Sequence, residues 1–526
     1  MRTAVWIFGD QVDRDASSLK TAPQNSPIVF VESKKFCQRR PYHWQKLVLI
    51  FSAMRHFAAE LKALGREVHY FPMADDFATS LATFVKEANI DRLYVMEPND
   101  VDRTLAMPAI ARKIKCEIEV TPNTQFLATH DQFDEWAQGK RSLVMESFYR
   151  LMRKRLGVLL DPTGSPLGGT WNLDKLNRIG AIPKDLPIPP PDAVKLDPIT
   201  LEVIDDVHRH FKGNCFGSDV TIQQMRDRFI WPVTPAAALA RLQEFLTHKL
   251  ANFGPYEDAM TTRSWFLWHS HLSVSMNCGL LHPKRIVEET LAHAMPLIEK
   301  NRLPLNSAEG FLRQVIGWRE FIRGIYWREM RRQGTTAYTQ RNELNADHPL
   351  PDFYWSAQTD MNCVRHCIEP VIEHGYSHHI PRLMVLANFA LLHGISPQQV
   401  NEWFIYAYAD GYEWVTTPNV VGMALYADGG IVATKPYAAG GAYINRMSNY
   451  CAGCRYNPKK AEGADACPFT RAYWPFLDRH RKRLEHNPRV SLTIKNLDRF
   501  TRTQLNRRAA ETDAWLGRQK AYAQPG

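Results

Sequence analysis

Apolar positions over the first 130 residues fall into short runs separated by longer amphipathic stretches. The run over residues 3–8 ends at Gly9, Asp10 and Gln11, the pattern of a buried parallel strand that leads into a ligand-facing loop. Further strands are predicted at 28–32, 67–71, 93–97 and 117–121. The clearest intervening helix is predicted at 43–64, where Leu47, Ile50, Met54, Phe57, Ala58 and Leu61 recur at helical spacing. Such alternation predicts an α/β domain over residues 1–130, a doubly wound, Rossmann-like parallel sheet whose ligands bind beyond the carboxyl ends of the strands. No Gly-x-Gly-x-x-Gly follows a strand there, so a nicotinamide dinucleotide is not the expected ligand.

Residues 131–200 change character and include the proline-rich passage 182–191, which reads as an extended interdomain linker. From 201 the period becomes helical, with helices predicted at 235–250, 264–278, 283–298, 308–332, 361–374, 379–392 and 397–408. The second, larger domain, 201–477, is predicted to be all-α. Residues 478–526 form a basic helical extension carrying Arg479, Arg481, Lys482, Arg483, Arg489 and Lys495, read first as a solvated helix face.

With 45% hydrophobic and 23% charged residues, the 526-residue chain has the composition of a soluble globular protein of two or three domains. No apolar run reaches membrane-spanning length, and the expected location is cytoplasmic. A net charge of +10 suits a polyanionic partner, and 14 tryptophans offer surfaces for stacking a base or a flavin ring.

Nine cysteines in so long a chain are no disulfide scaffold. Cys451 and Cys454 form a Cys-x-x-Cys turn and Cys467 follows before Pro468, a spacing suited to metal. The fourth ligand must come from afar, and Cys363 is preferred over Cys367, one helical turn away. Four thiolates serve a structural zinc or a [4Fe-4S] cluster, and the proline after Cys467 leans toward the cluster.

Three segments carry a resemblance: 311–321 (Phe-Leu-Arg-Gln-Val-Ile-Gly-Trp-Arg-Glu-Phe), 377–384 (Ser-His-His-Ile-Pro-Arg-Leu-Met) and the run from Tyr408 through Asp410 to Asn419. In this order they resemble the flavin-binding half of the photolyase–cryptochrome family. The pattern of Cys363, Cys451, Cys454 and Cys467 is similar to the bacterial iron–sulfur branch of that family, the prokaryotic (6-4) photolyases.

The resemblance implies FAD held by Ser270, Leu272, Ser273, Asn277, Gln314, Arg319, Arg382, Asp410 and Asn419, and a [4Fe-4S] cluster on the four cysteines. It implies a lesion pocket lined by Trp318, Leu383 and Met423, with His379, His378, Tyr437 and Tyr443 at the chemistry. His379 is the favoured proton donor, because a hydroxyl must migrate between the linked bases and a histidine is poised for proton transfer near neutral pH. Neighbouring residues of a helix point about 100° apart, so only one of the two histidines faces the pocket. Trp403 and Trp355 are implied as the electron-transfer route to the flavin, with Phe404 unable to serve as a tyrosine might. At the strand ends, Gly9, Asp10, Gln11, Glu32 and His43 are implied to hold an antenna, 6,7-dimethyl-8-ribityllumazine, while Phe36 and Arg39 depart from the polar residues expected beside it. Tyr412 stands where relatives carry a second Asp after Asp410.

The expected activity is that of a lyase: light-driven DNA repair, in which excited reduced FAD passes an electron to a (6-4) pyrimidine–pyrimidone photoproduct and a histidine assists proton transfer. UV-damaged DNA is the expected partner of a monomer. Two alternatives are a cryptochrome-type blue-light photoreceptor and a zinc-clamped nucleic-acid-binding protein without flavin, which would be colourless.

Overall fold

The structure is a computed structural model that describes residues 1–180, 182–191 and 193–521. Residues 181 and 192 of the predicted linker and the last five of the basic extension lie outside the described residues. Five strands, β1 (Thr3–Trp6), β2 (Ile28–Ser33), β3 (Val68–Ala74), β4 (Arg92–Met96) and β5 (Glu117–Thr121), form one sheet in the order β3-β2-β1-β4-β5. Every pairing is parallel. The order reverses at β1, and its carboxyl end, with Gly9–Gln11, therefore opens at the topological switch point.

Along and just beyond β1 the side chains alternate between two cores. Ala4, Trp6 and Phe8 pack with Leu81, Phe84 and Ile114 on one face, while Val5 and Ile7 face helix α1 (Trp44–Ala63). α1 is apolar almost all round because it is covered twice, by the sheet and by the helical part of the chain, with which it shares one continuous core. Gly9 explains the closeness of this packing: a Cβ there would lie 2.6 Å from Ile50 and 2.8 Å from Met54.

From Pro198 onward the described residues are helical, with no strand. The predicted helix at 264–278 is shorter in the structure, Leu272–Asn277. Ser264 accepts from the backbone N–H groups of Phe266 and Leu267, and His271 has φ +57°, so the chain turns where apolar spacing predicted helix. Three stretches wind with the wider π pitch, at Arg313–Arg319, Pro381–Ala387 and Pro418–Ala424. Widened turns of this kind recur at functional sites, since they displace side chains from the regular ladder. The proline-rich passage has no regular secondary structure and is pinned by Arg263, which donates to the carbonyls of Pro183 and Lys184 at 3.0 and 2.8 Å.

Candidate active site and thiol centre

The three π stretches carry Gln314, Trp318 and Arg319, then Arg382 and Leu383, then Asn419 and Met423, so four of the nine residues implied for flavin and all three implied to line the lesion pocket lie on them. On the first, Gln314 and Trp318 are half-buried while Arg313, Val315, Ile316, Gly317 and Arg319 are buried, so the two share the open side.

Asp410 lies at the centre of a buried polar chain. Arg382 donates to both carboxylate oxygens, at 3.0 and 3.1 Å, and Ser273 donates from Oγ at 2.7 Å. Asn277 donates to the Asp410 carbonyl at 3.0 Å and accepts from Arg319 at 2.7 Å. The Arg319 guanidinium in turn sits 4.6 Å from the Phe126 ring and 4.8 Å from Trp414. Burial opposes the charge of Arg382, but Asp410 together with Tyr408 and Tyr376 outweighs it and raises its pKa. Asn419 stands apart: its amide donates to Val415 O at 2.8 Å within its own helix. Ser270 makes a local turn, accepting from Leu272 N at 3.4 Å, and Leu272 is fully buried.

Beside this chain several buried polar atoms lack a protein partner, among them His269 Nε2, His378 Nδ1, Ser275 Oγ and Arg319 Nε. Such atoms are costly unless a ligand or water meets them, which is what a flavin with its ribityl and phosphate oxygens would do.

The paired histidines divide at a helix start, His378 lying just before the helix and His379 opening it. His378 is buried, its ring stacked on His269 at 4.2 Å, and burial with the neighbouring cations holds it well below the usual histidine range. His379 is exposed to solvent. Burial and then Arg382 push its pKa down to about 4, so it is neutral in the free protein at pH 7. Leu383 and Met423 are buried, and Tyr437 and Tyr443 half-buried. Asp258, Arg446 and Arg178 act on Tyr443, and burial raises Asp258 to about 6 and Glu257 to about 8.

Trp403 is wholly buried, 5.0 Å from the Tyr354 ring and 5.6 Å from Tyr408, and donates to Tyr354 O at 3.2 Å. Trp355, next in sequence to Tyr354, is half-buried. Phe404 stacks on Tyr408 at 5.2 Å, and Tyr408 lies under the Arg382 guanidinium at 4.1 Å.

At the strand ends Asp10 is buried and bonded by Arg103 at 2.8 and 3.2 Å and by Asn99 at 3.1 Å. Burial opposes its ionisation, but Arg103 prevails and holds the carboxyl low. Gln11 donates to Glu97 O at 2.8 Å. Two of the implied antenna residues are otherwise engaged. Glu32, 0% exposed, already accepts from Arg55 twice, from Tyr70 OH and from Met73 N, so no lone pair faces a ligand. His43 is the N-cap of α1: Nδ1 accepts from Gln45 N at 3.1 Å, Nε2 meets Ile372 O at 3.0 Å, and the ring packs on Gly375. His43 thus belongs to the contact between the sheet domain and the helical part.

Sequence reasoning passed over Lys46. Its ammonium, buried on α1, donates to the carbonyls of Ile405 (3.3 Å) and Gly411 and lies 4.2 Å from the Tyr412 ring, clamping the loop that bears Asp410. Burial lowers its pKa to about 7. A lysine directly before the apolar run Leu47–Phe51 was the available signal.

Cys363, Cys451, Cys454 and Cys467 line one pocket together with Met361, Ile444, Tyr450 and Phe469, and Cys367 is not part of it. Cys363 and Cys367 belong to helix α2 (Asn362–His374), and Cys467 precedes α4 (Pro468–Arg479). Helix α3 (Gly441–Met447) lies between them in sequence and adds Gly441 and Ile444 to the wall. Among the described residues no group of three or more His, Cys, Asp or Glu side chains is drawn closely enough to hold a metal ion.

A family model described as deoxyribodipyrimidine photo-lyase-related protein matches residues 5–219. A (6-4) photolyase of Agrobacterium fabrum is 42% identical over 497 residues, which is 93% of this chain and 94% of that protein. An uncharacterized protein of Acanthamoeba polyphaga mimivirus is 42% identical over 66 residues, 12% of this chain and 54% of that protein. A crystal structure of a bacterial class III photolyase from Agrobacterium tumefaciens shares the fold, with a TM-score of 0.58 and 15% identity over 98% of each chain. Identity of 42% sustained over almost the whole length of both proteins decides the question of kinship, and the chain belongs to the (6-4) photolyase family.

Proposed function

We propose that this chain is a light-driven DNA repair lyase that acts on the (6-4) pyrimidine–pyrimidone photoproduct, with residues 1–130 as antenna domain, 131–200 as linker, 201–477 as catalytic domain and 478–526 as a basic extension. The observation that carries the reading is the family relationship together with an exposed His379 near the half-buried Arg382 and its buried partner Asp410. FAD, when bound, supplies the photoexcited electron that opens the lesion. Asp410, Arg382, Ser273, Asn277 and Arg319 bind and orient it, and His269, His378 and Ser275 have polar atoms to offer it.

His379 is the residue set to move the proton. Its low pKa in the free protein is a consequence of burial and Arg382, and anionic DNA closing the cavity shifts the balance toward the protonated form. The flipped lesion would meet Trp318, Leu383, Met423, Tyr437 and Tyr443, and the net charge of +10 favours phosphate contacts without base readout.

Four thiols lining one pocket can take the four corners of a [4Fe-4S] cluster, and the proline after Cys467 favours the cluster over zinc. Asp10 and Gln11 remain as residues facing the lumazine antenna, and Trp403 with Trp355 as the route for flavin reduction.

The test is blue-light repair by the reduced protein of oligonucleotides bearing either a (6-4) photoproduct or a cyclobutane dimer, with dark controls. Light-dependent loss of the (6-4) lesion alone is expected; loss of the dimer alone overturns the substrate, and loss of neither with flavin bound overturns the activity.

A further inference from the structure

The thiol pocket and the residues proposed to meet the lesion share α3, a helix of seven residues. At its start Gly441 has no room for a side chain. A Cβ there would stand 2.7 Å from Cys467 Sγ, 2.9 Å from Thr470 Oγ1 and 3.2 Å from Pro458 Cα. The contact is fixed from both sides, because Thr470 Oγ1 accepts from Gly441 N at 2.9 Å and donates to Pro458 O at 2.8 Å. One turn on, Ile444 is buried and lines the thiol pocket, while its neighbour Tyr443 is half-buried, with the Arg446 guanidinium 5.5 Å from its ring. The end of α3 is equally tight. Met447 O accepts from Met260 N at 2.9 Å, and a Cβ at Gly180 would lie 2.8 Å from Arg446 O. A helix so short, wedged at both ends, cannot absorb a shift of Cys467 by bending; it must carry the shift to Tyr443.

We propose that Gly441 is a positioning residue that makes lesion binding depend on the thiol centre: a metal cluster holding Cys467 sets the position of α3, and α3 sets Tyr443 and Arg446 at the lesion cavity. The proposal rests on the reading of the four thiols as cluster ligands and of Tyr443 as a lesion contact.

The experiment measures iron content, flavin content and dark binding of a (6-4)-containing and an undamaged oligonucleotide by wild type, Gly441→Ala and Gly440→Ala. A Cβ at Gly440 meets its neighbours only at 3.6–3.9 Å, so that variant controls for loss of glycine as such. Gly441→Ala is expected to keep its flavin, lose about tenfold or more in affinity for the lesion and little for undamaged DNA. Its cluster absorption is expected to change, and Gly440→Ala to match wild type. In parallel, the wild-type centre is destroyed stepwise with ferricyanide, and lesion affinity is expected to fall with the remaining iron while flavin content holds. Lesion affinity that stays constant as iron is lost, or that is unchanged in Gly441→Ala, overturns the coupling, and the wild-type titration decides if the variant does not fold. Wild type that never contains iron overturns the cluster reading and the coupling together, a result separate from the first.

Discussion

Arg382 grips Asp410 through both terminal guanidinium nitrogens, 3.0 and 3.1 Å from the two carboxylate oxygens, at the point where chain from Ser273, Asn277 and the 408–412 loop converges. Lysine cannot reproduce a two-point contact with a planar carboxylate. Arg382→Lys is therefore expected to weaken FAD binding by about tenfold to a hundredfold, the worth of one charge-assisted hydrogen bond. Flavin retained through gel filtration and fluorescence titration of the apoprotein check it.

Cys363 lines the thiol pocket and Cys367, one turn along α2, does not. Cys363→Ser is expected to remove iron and its visible absorption, and Cys367→Ser to leave both. Equal iron in wild type and Cys363→Ser would mean that the fourth ligand lies elsewhere.

His379 is exposed to solvent and His378 is buried, so their substitutions should separate. His379→Ala is expected to bind flavin and lesion but lose repair by about a hundredfold or more, the usual worth of a positioned acid. His378→Ala loses the His269 stack and should act on flavin content first. Because His379 is pushed down to about 4, repair by wild type is expected to speed up as pH falls from 8 toward 5.5, and residual repair in His379→Ala to be flat over that range.

Burial pushes His43 down to about 3, below its unfolded value of about 6.5. A histidine kept neutral by the fold stabilises it fully above the unfolded pKa and loses that contribution as pH falls toward the folded one. Stability to urea is thus expected to drop between pH 6.5 and about 3. His43→Gln, which keeps a donor and an acceptor, should reduce the slope by up to about 1.4 kcal/mol per pH unit. An unchanged slope would place the titrating groups elsewhere, His269 being the next candidate at about 3.

Trp403, packed against Tyr354 and Tyr408, is the innermost tryptophan of the implied reduction route. Trp403→Phe is expected to slow photoreduction of the flavin by about tenfold or more while chemically reduced protein repairs normally; transient absorption distinguishes the two.

Periodicity was enough for the sheet: strands of four to seven residues separated by helices leave β1 and its neighbours little choice but parallel pairing. Local sequence also marked the thiols, but helix α2 offers two cysteines on nearly one face, and packing alone puts Cys363 rather than Cys367 in the pocket. It misplaced the helix at 264–278, where apolar spacing persists through a turn that Ser264 and His271 impose by hydrogen bonding and positive φ. It also gave no sign of the partners that His43 and Glu32 take up. Both precede or end elements that point toward the ligand side, and only the tertiary partners Ile372, Arg55 and Tyr70, distant in sequence, reveal that their polar atoms are already taken.

What the sequence by itself determined is therefore the order of elements, the parallel sheet and the inventory of chemical groups, since these follow from side-chain period and residue type. Only the tertiary structure decided which of two adjacent histidines is exposed to solvent, that Lys46 clamps the Asp410 loop, and that Gly441 touches Cys467. Each of these depends on how closely surfaces far apart in the chain approach, which is set by packing density in the folded core and leaves no local trace in the order of residues.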